Sequence, residues 1–124
     1  HYSTEDLVGK LEPSQVCRLF KIAEWELEKA NKWDRDSISA IFQRIGEVEK
    51  RKLKDLLRPF FFALSGSSVS LPLFDGMALL GPDLCRVRIR KALNQLNEAG
   101  AALSKKGLKT LEKEYRKDYG KRID

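Results

Sequence analysis

Apolar residues recur in this chain at the three- and four-residue steps of an α-helix. Val16, Phe20, Ala23 and Leu27, with Leu19 and Ala30 beside them, make one such stripe, and Ile38, Ile41, Phe42, Ile45 and Val48 make a second. Cys85, Ile89, Ala92, Leu93 and Leu96 make a third. One segment, Phe60 to Leu64, has the composition of a strand, with three consecutive aromatic residues. Nothing else in the chain could pair with it, so a short helix or a buried extended turn is expected there. The fold class that follows is all-α: a compact bundle or cage of short helices.

Prolines, glycines and capping residues punctuate these stripes. Pro13 suits a first helical turn and Ser14 a cap, which predicts a helix over about 14–31 whose other face, Lys21, Glu24, Glu28 and Lys32, meets solvent. Trp25 falls off that helix's main stripe, as expected either of a plain surface residue or of one that meets a domain outside the chain. Asp36 or Ser37 is expected to cap a helix over about 37–50. The charged stretch at 49–55 reads as a turn or a frayed end. Leu53, Leu56 and Leu57 then restart an apolar face that Pro59 ends or kinks. Ser65 to Ser70 reads as a polar loop. Pro72 opens a short helix holding Leu73, Phe74, Met77 and Leu80, in which Gly76 costs roughly 1 kcal/mol relative to Ala. Gly81 is expected to stop it in a left-handed cap, and Pro82 to start a helix over about 82–97. Residues 1–12 read as a loose lead-in and about 107–119 as a final basic helix.

With 124 residues, 42% of them apolar and 34% charged, one domain or one slice of a larger protein is expected, with a modest core and a large wet surface. A chain that opens on His1 rather than Met is expected to be part of a longer one, and no signal-peptide pattern opens it. The net charge of +6 favours an anionic partner, nucleic acid or an acidic membrane surface. The longest wholly apolar run, Phe60 to Leu64, is far too short to span a bilayer. Residues 101–124 carry eight positive and four negative charges, so most of the basic excess sits at that end.

Catalysis finds no support in the residues. The single histidine stands at the terminus, and neither a nucleophile–base pair nor a phosphate-binding glycine loop is present. Cys17 and Cys85 are widely separated, and with one histidine they make no zinc set; both fall in apolar helical patterns and read as buried thiols of a reducing compartment. A binding surface remains. Arginine and lysine neutralise phosphates, and single-stranded RNA is read through splayed bases that stack or bond to side chains and loop backbone. The Ser65 to Ser70 hydroxyls and amides offer such bonds, with Leu71 and Leu73 as apolar platforms. On the helix that follows, Arg86 and Arg90 share one flank of the apolar stripe and Arg88 lies on the other. Taken alone, these residues also fit a helical protein-interaction or scaffold domain with a solvated basic face, which is the alternative reading. A DNA binder has no helix-turn-helix spacing to support it.

The segment from Pro59 to Arg90 resembles the C-terminal anticodon-binding region of bacterial-type glutamyl-tRNA synthetases. Pro59, Ala63-Leu64-Ser65-Gly66, Leu73-Phe74-Asp75, Leu79-Leu80-Gly81, Arg86 and Arg90 keep that region's order and spacing, and the stretch from Trp33 to Ile38 resembles its opening. The likeness covers about residues 33–97. It implies three parts: a lead-in helix and connection at 1–32, an anticodon-binding helical domain at 33–97 and a basic extension at 98–124. It implies an all-helical cage gripping an anticodon stem and loop, with Arg58, Ser65, Ser70, Leu71, Leu73, Arg86 and Arg90 as RNA-contacting residues. No catalytic or metal-binding residue and no cofactor is expected in this chain; ATP and magnesium belong to the parent glutamate–tRNA ligase. The partner implied is glutamate tRNA, with glutamine tRNA as a second candidate, for a monomer in the cytoplasm without membrane contact. Leu103 to Gly107 is similar to the lysine loop of class I synthetases, but that loop works beside a nucleotide-binding α/β domain, so a basic helix start is expected instead.

The pattern departs at three places. Phe61 stands where the family carries a base-reading arginine, which leaves that guanidinium missing unless Arg58 substitutes. Lys54 and Asp55 replace the usual glycine and lysine. Ser65 and Asp75 replace threonine and glutamate, both mild changes.

Overall fold

The computed structural model describes residues 3–65, 72–100 and 103–120. Among them the chain forms α1 (Thr4–Val8), α2 (Pro13–Glu28), α3 (Arg35–Glu49), α4 (Leu53–Ser65), α5 (Leu73–Leu80), α6 (Pro82–Glu98) and α7 (Lys105–Tyr119), and no strand. The all-α expectation holds.

The helices enclose one core. α6 runs beside α2, α4 and α5, while α3 lies along α5 and α2. The apolar stripes supply the filling as their period dictates: Val16, Phe20, Ala23, Ile38, Phe42, Ile45, Cys85, Ile89, Ala92 and Leu96 are essentially inaccessible. Phe60 is the hub. It meets Phe20 of α2 and Phe42 of α3, each at 4.9 Å in edge-to-face geometry, and Phe42 continues to Phe74 of α5 at 5.5 Å.

The triple phenylalanine is helical, and it extends the helix of Leu53 instead of starting a separate one. Successive residues of a helix point about 100° apart, so Phe60 enters the core, Phe62 packs beneath Arg58 and Phe61 faces a groove against α1. Pro59 neither ends nor splits α4. Its ring is buried, and burial of Phe60, Ala63 and Leu64 just beyond it offsets the single backbone bond that proline cannot donate.

Several local expectations change. The lead-in contains α1, closed by reciprocal bonds between Ser3 and Asp6 and anchored by fully buried Leu7. Asp34, rather than Asp36 or Ser37, caps α3; its carboxylate accepts the Ser37 amide at 2.8 Å, which holds its pKa below the ordinary aspartate value. Gly81 has φ 87° and ψ 162°, a glycine-only conformation different from the left-handed cap expected, and its amide bonds Met77 O at 3.1 Å. Trp25 packs on Tyr115 of α7, ring centroids 4.8 Å apart, and stays partly exposed. Glu24 does not lie on a wet face but is buried, and so is Glu26. Both cysteines are buried thiols without a disulfide, and burial pushes Cys85 up to about 11.

The buried glutamates explain how α7 docks. Glu26 accepts the Tyr115 hydroxyl at 2.7 Å and pairs with Arg44 at 3.2 Å. Glu49 accepts the Tyr119 hydroxyl at 2.8 Å and Arg18 Nε at 2.7 Å, and the same guanidinium reaches Glu114 of α7 at 2.9 Å. Arg44 also donates to Tyr119 O at 2.8 Å. The buried carboxylates are thus paired and bonded throughout, the condition under which burial of charge is tolerated.

Candidate nucleic-acid interface

The end of α4 and the body of α5 are each fastened to neighbouring helices. Arg88 of α6 donates from Nη1 to Leu64 O, the carbonyl before the last residue of α4. On the far side, Trp33 donates its indole N–H to Met77 O at 2.9 Å, and the Cys85 thiol approaches the same oxygen at 3.7 Å. Arg35 joins Asp75 at 3.3 Å. The residues that carry the family likeness, Trp33 and Asp75, therefore fasten the start of α3 to α5. Ser70 and Leu71 lie outside the described residues, and Ser65 is the last residue of α4. Leu73 opens α5 with its side chain buried, so it seats that helix and is not an open apolar platform.

The three arginines do not converge on one spot. Arg86 sits beside Trp33, Glu28 and Asn31 in a cavity of about 390 Å³ between α2 and α6, with Asp83 at 3.7 Å. Arg90, one turn further on, is clamped from two nitrogens, Nη2 at 2.9 Å and Nε at 3.1 Å, to the buried carboxylate of Glu24, which also holds Lys21 at 2.8 Å. About half of the Arg90 side chain stays exposed. The sequence located both arginines on one flank but missed the acceptor of Arg90, because Glu24 reads as a surface residue when α6 is not yet packed against α2.

Arg58 occupies a different groove, of about 790 Å³, between α1 and α4. Its guanidinium lies 5.5 Å over the Phe62 ring and its stem crosses Gly9, where a Cβ would meet Arg58 Nε at 2.6 Å. Gly9 also holds φ 56°, so both backbone and space call for glycine there. Lys10, Lys50, Arg51, Lys52 and Lys54 line the same groove with Phe61. These cations went unrecognised because 49–55 reads as a charged turn; α1, which brings Lys10 opposite them, was the missing element. Arg58 and Phe61, three residues apart on one helix face, share this wall, so a guanidinium is present in the groove that Phe61 lines.

Among the described residues no group of histidine, cysteine or carboxylate side chains could hold a metal ion, and no helix is long and apolar enough to cross a membrane. Leu103 to Gly107 is a helix start: Ser104 caps α7 by accepting the Gly107 amide at 3.0 Å.

A helical cage with a basic groove between α1 and α4, and with exposed arginines on α6, has the character of a polyanion-binding module. The chain belongs to the anticodon binding domain family, whose model matches residues 1–93. It is 40% identical over 106 residues to the glutamate–tRNA ligase of Marinomonas sp. strain MWYL1, a match taking in 86% of this chain and 21% of that protein. Similar likenesses hold to the glutamate–tRNA ligases of Saccharophagus degradans, 41% over 107 residues with 86% and 20% covered, and of Cellvibrio japonicus, 38% over 109 residues with 88% and 21% covered. The chain spans about a fifth of the length of the curated relatives it matches.

Proposed function

We propose that this chain is the anticodon-binding module of a glutamate–tRNA ligase, gripping the anticodon stem and loop while the parent enzyme attaches glutamate with ATP and magnesium. The observation that carries this reading is the fastening of the two helix ends: Arg88 holds the end of α4, and Trp33, Arg35 and Cys85 hold α5. Fixed helix ends lower the ordering cost of recognition between them, and serine hydroxyls and backbone amides are groups that bond unpaired bases.

Within that reading, Ser65, Ser70 and Leu71 lie beside the bases, with Leu73 holding the α5 end in place. Arg86 and the exposed part of Arg90 meet phosphates on one side. On the other, Arg58 supplies the guanidinium absent at Phe61, and Lys50, Lys52 and Lys54 meet the backbone. The division into 1–32, 33–97 and 98–124 is then one of role, since α2 shares a core with α6. The partner is glutamate tRNA, with glutamine tRNA as a second candidate. The parent acts as a monomer in the cytoplasm.

Filter binding of transcribed glutamate tRNA at 50 and 200 mM salt tests the proposal. Affinity should fall steeply with salt and drop when the anticodon is changed. Arg58→Ala should weaken binding and shrink the penalty for changing the anticodon, whereas Lys52→Ala should lower the salt slope by about one. A scaffold domain would show neither anticodon nor steep salt dependence.

A further inference from the structure

The family model ends before α7, and neither the anticodon loop segment nor its flanking arginines requires this helix. Its inner face is fully employed. Leu111, Tyr115 and Tyr119 are buried, and both tyrosine hydroxyls bond buried carboxylates of α2 and α3. Glu114 is paired with Arg18.

The outer face has a different character. Lys105, Lys106, Lys109, Lys113, Arg116 and Lys117 are all exposed, and none forms an ion pair with a described residue. On a wheel of 100° per residue, Lys106, Lys109, Lys113 and Lys117 lie opposite the buried edge. Lys105 and Arg116 flank them on the side of Leu108, and Leu108 lines a cleft with Arg90 and Lys21. Glu114 lies on the other flank, toward Arg18. The basic face of α7 thus adjoins the Arg90 surface of α6.

Arg116 and Lys117 in the last turn suit the helix dipole, but the start and the outer row of lysines work against the helix that carries them. Lys105–Lys109, Lys109–Lys113 and Lys113–Lys117 are like-charge pairs at i,i+4, each destabilising. Lys105 and Lys106 occupy the first turn, where no acidic residue balances the positive end of the helix dipole. A helix needed only to cover α2 and α3 has no use for these charges, whereas a polyanion would turn each repulsion into an attraction.

We propose that the outer face of α7 is a second phosphate-contact surface, gripping the RNA backbone beyond the anticodon loop and continuous with Arg90. This deepens the reading above and rests on it. The ring and ion-pair contacts beneath α7 hold it as a rigid platform, so the contact needs no ordering step.

The test uses the intact chain and a variant carrying Lys106→Gln, Lys109→Gln, Lys113→Gln and Lys117→Gln. All four positions are exposed, and far-ultraviolet dichroism checks that the fold is kept. Binding of transcribed full-length glutamate tRNA is measured at 50 and 200 mM salt. Four lost phosphate contacts should shrink the affinity drop across that range by about 50- to 150-fold, with the penalty for changing the anticodon unaltered. Amide shifts on α7 should follow addition of the same tRNA to the wild-type chain. Equal salt slopes for variant and wild type, or an α7 that does not respond, would overturn this inference while leaving anticodon binding intact. A wild-type chain that binds no glutamate tRNA would overturn both readings.

Discussion

Replacing Tyr119 by Phe should loosen the clasp that holds α7, and the structure sets the size of the effect. Tyr119 is 1% exposed and its hydroxyl donates at 2.8 Å to Glu49 Oε2. Phenylalanine keeps the stacking on Tyr115 at 5.2 Å and the Arg44 guanidinium at 5.6 Å, so only the hydrogen bond is removed. A bond to a charged group contributes about 1.5–3 kcal/mol. Glu49 retains Arg18 Nε at 2.7 Å on its other oxygen, which points to the lower end, about 1.5 kcal/mol. At an m-value near 1.5–2 kcal/mol/M, the urea midpoint should fall by roughly 0.8–1 M. A double-mutant cycle with Glu49→Gln should return a coupling of about 1 kcal/mol or more. There is also a pH signature. Burial, with Glu49 close by, raises the Tyr119 pKa far above its usual 10, so the neutral phenol is the form the fold favours. Its stabilisation is complete below pH 10 and is lost as pH rises beyond it; the Phe variant should lose less stability there than the wild type. A midpoint unchanged within 0.2 M (about the resolution of such a curve), or identical alkaline losses, would refute the docking of α7 through these carboxylates.

Two glycines should respond in opposite directions. Gly81→Ala forces a Cβ into a glycine-only backbone region and should cost about 1–3 kcal/mol, although no atom lies within 4 Å of that Cβ. Gly76→Ala sits inside α5 with equal space around it and should stabilise by about 0.4–1 kcal/mol; chemical denaturation reads both. Arg88→Ala should weaken tRNA binding while leaving the salt slope unchanged, because Arg88 acts on the Leu64 carbonyl and not on phosphate; a lowered slope would make it a direct contact. Buried Cys17 and Cys85, both with raised pKa, should resist a thiol-specific disulfide reagent in native buffer and react on unfolding.

Periodicity carried most of the fold. The stripes on α2, α3 and α6 needed nothing beyond their spacing, and Pro82 marked a helix start that the structure keeps. What stayed hidden depended on tertiary partners. Glu24 looks solvated until α6 brings Arg90 across it, and Trp25 looks misplaced until α7 supplies Tyr115. α1 is only a few residues long, so its capping box and one buried leucine left no periodic signal. Pro59 read as a break because local propensity knows nothing of the core that Phe60 enters. The candidate interface was legible where residue chemistry and family pattern coincided, at Arg86 and Arg90. It was not legible in the Lys50 to Lys54 cluster, whose opposing wall is α1.

Chemical-shift mapping with a glutamate-tRNA anticodon hairpin addresses the interface directly. The account predicts perturbations concentrated from Ser65 to Leu73 and along α6 around Arg86. Shifts confined to another face, or none at all, would contradict it.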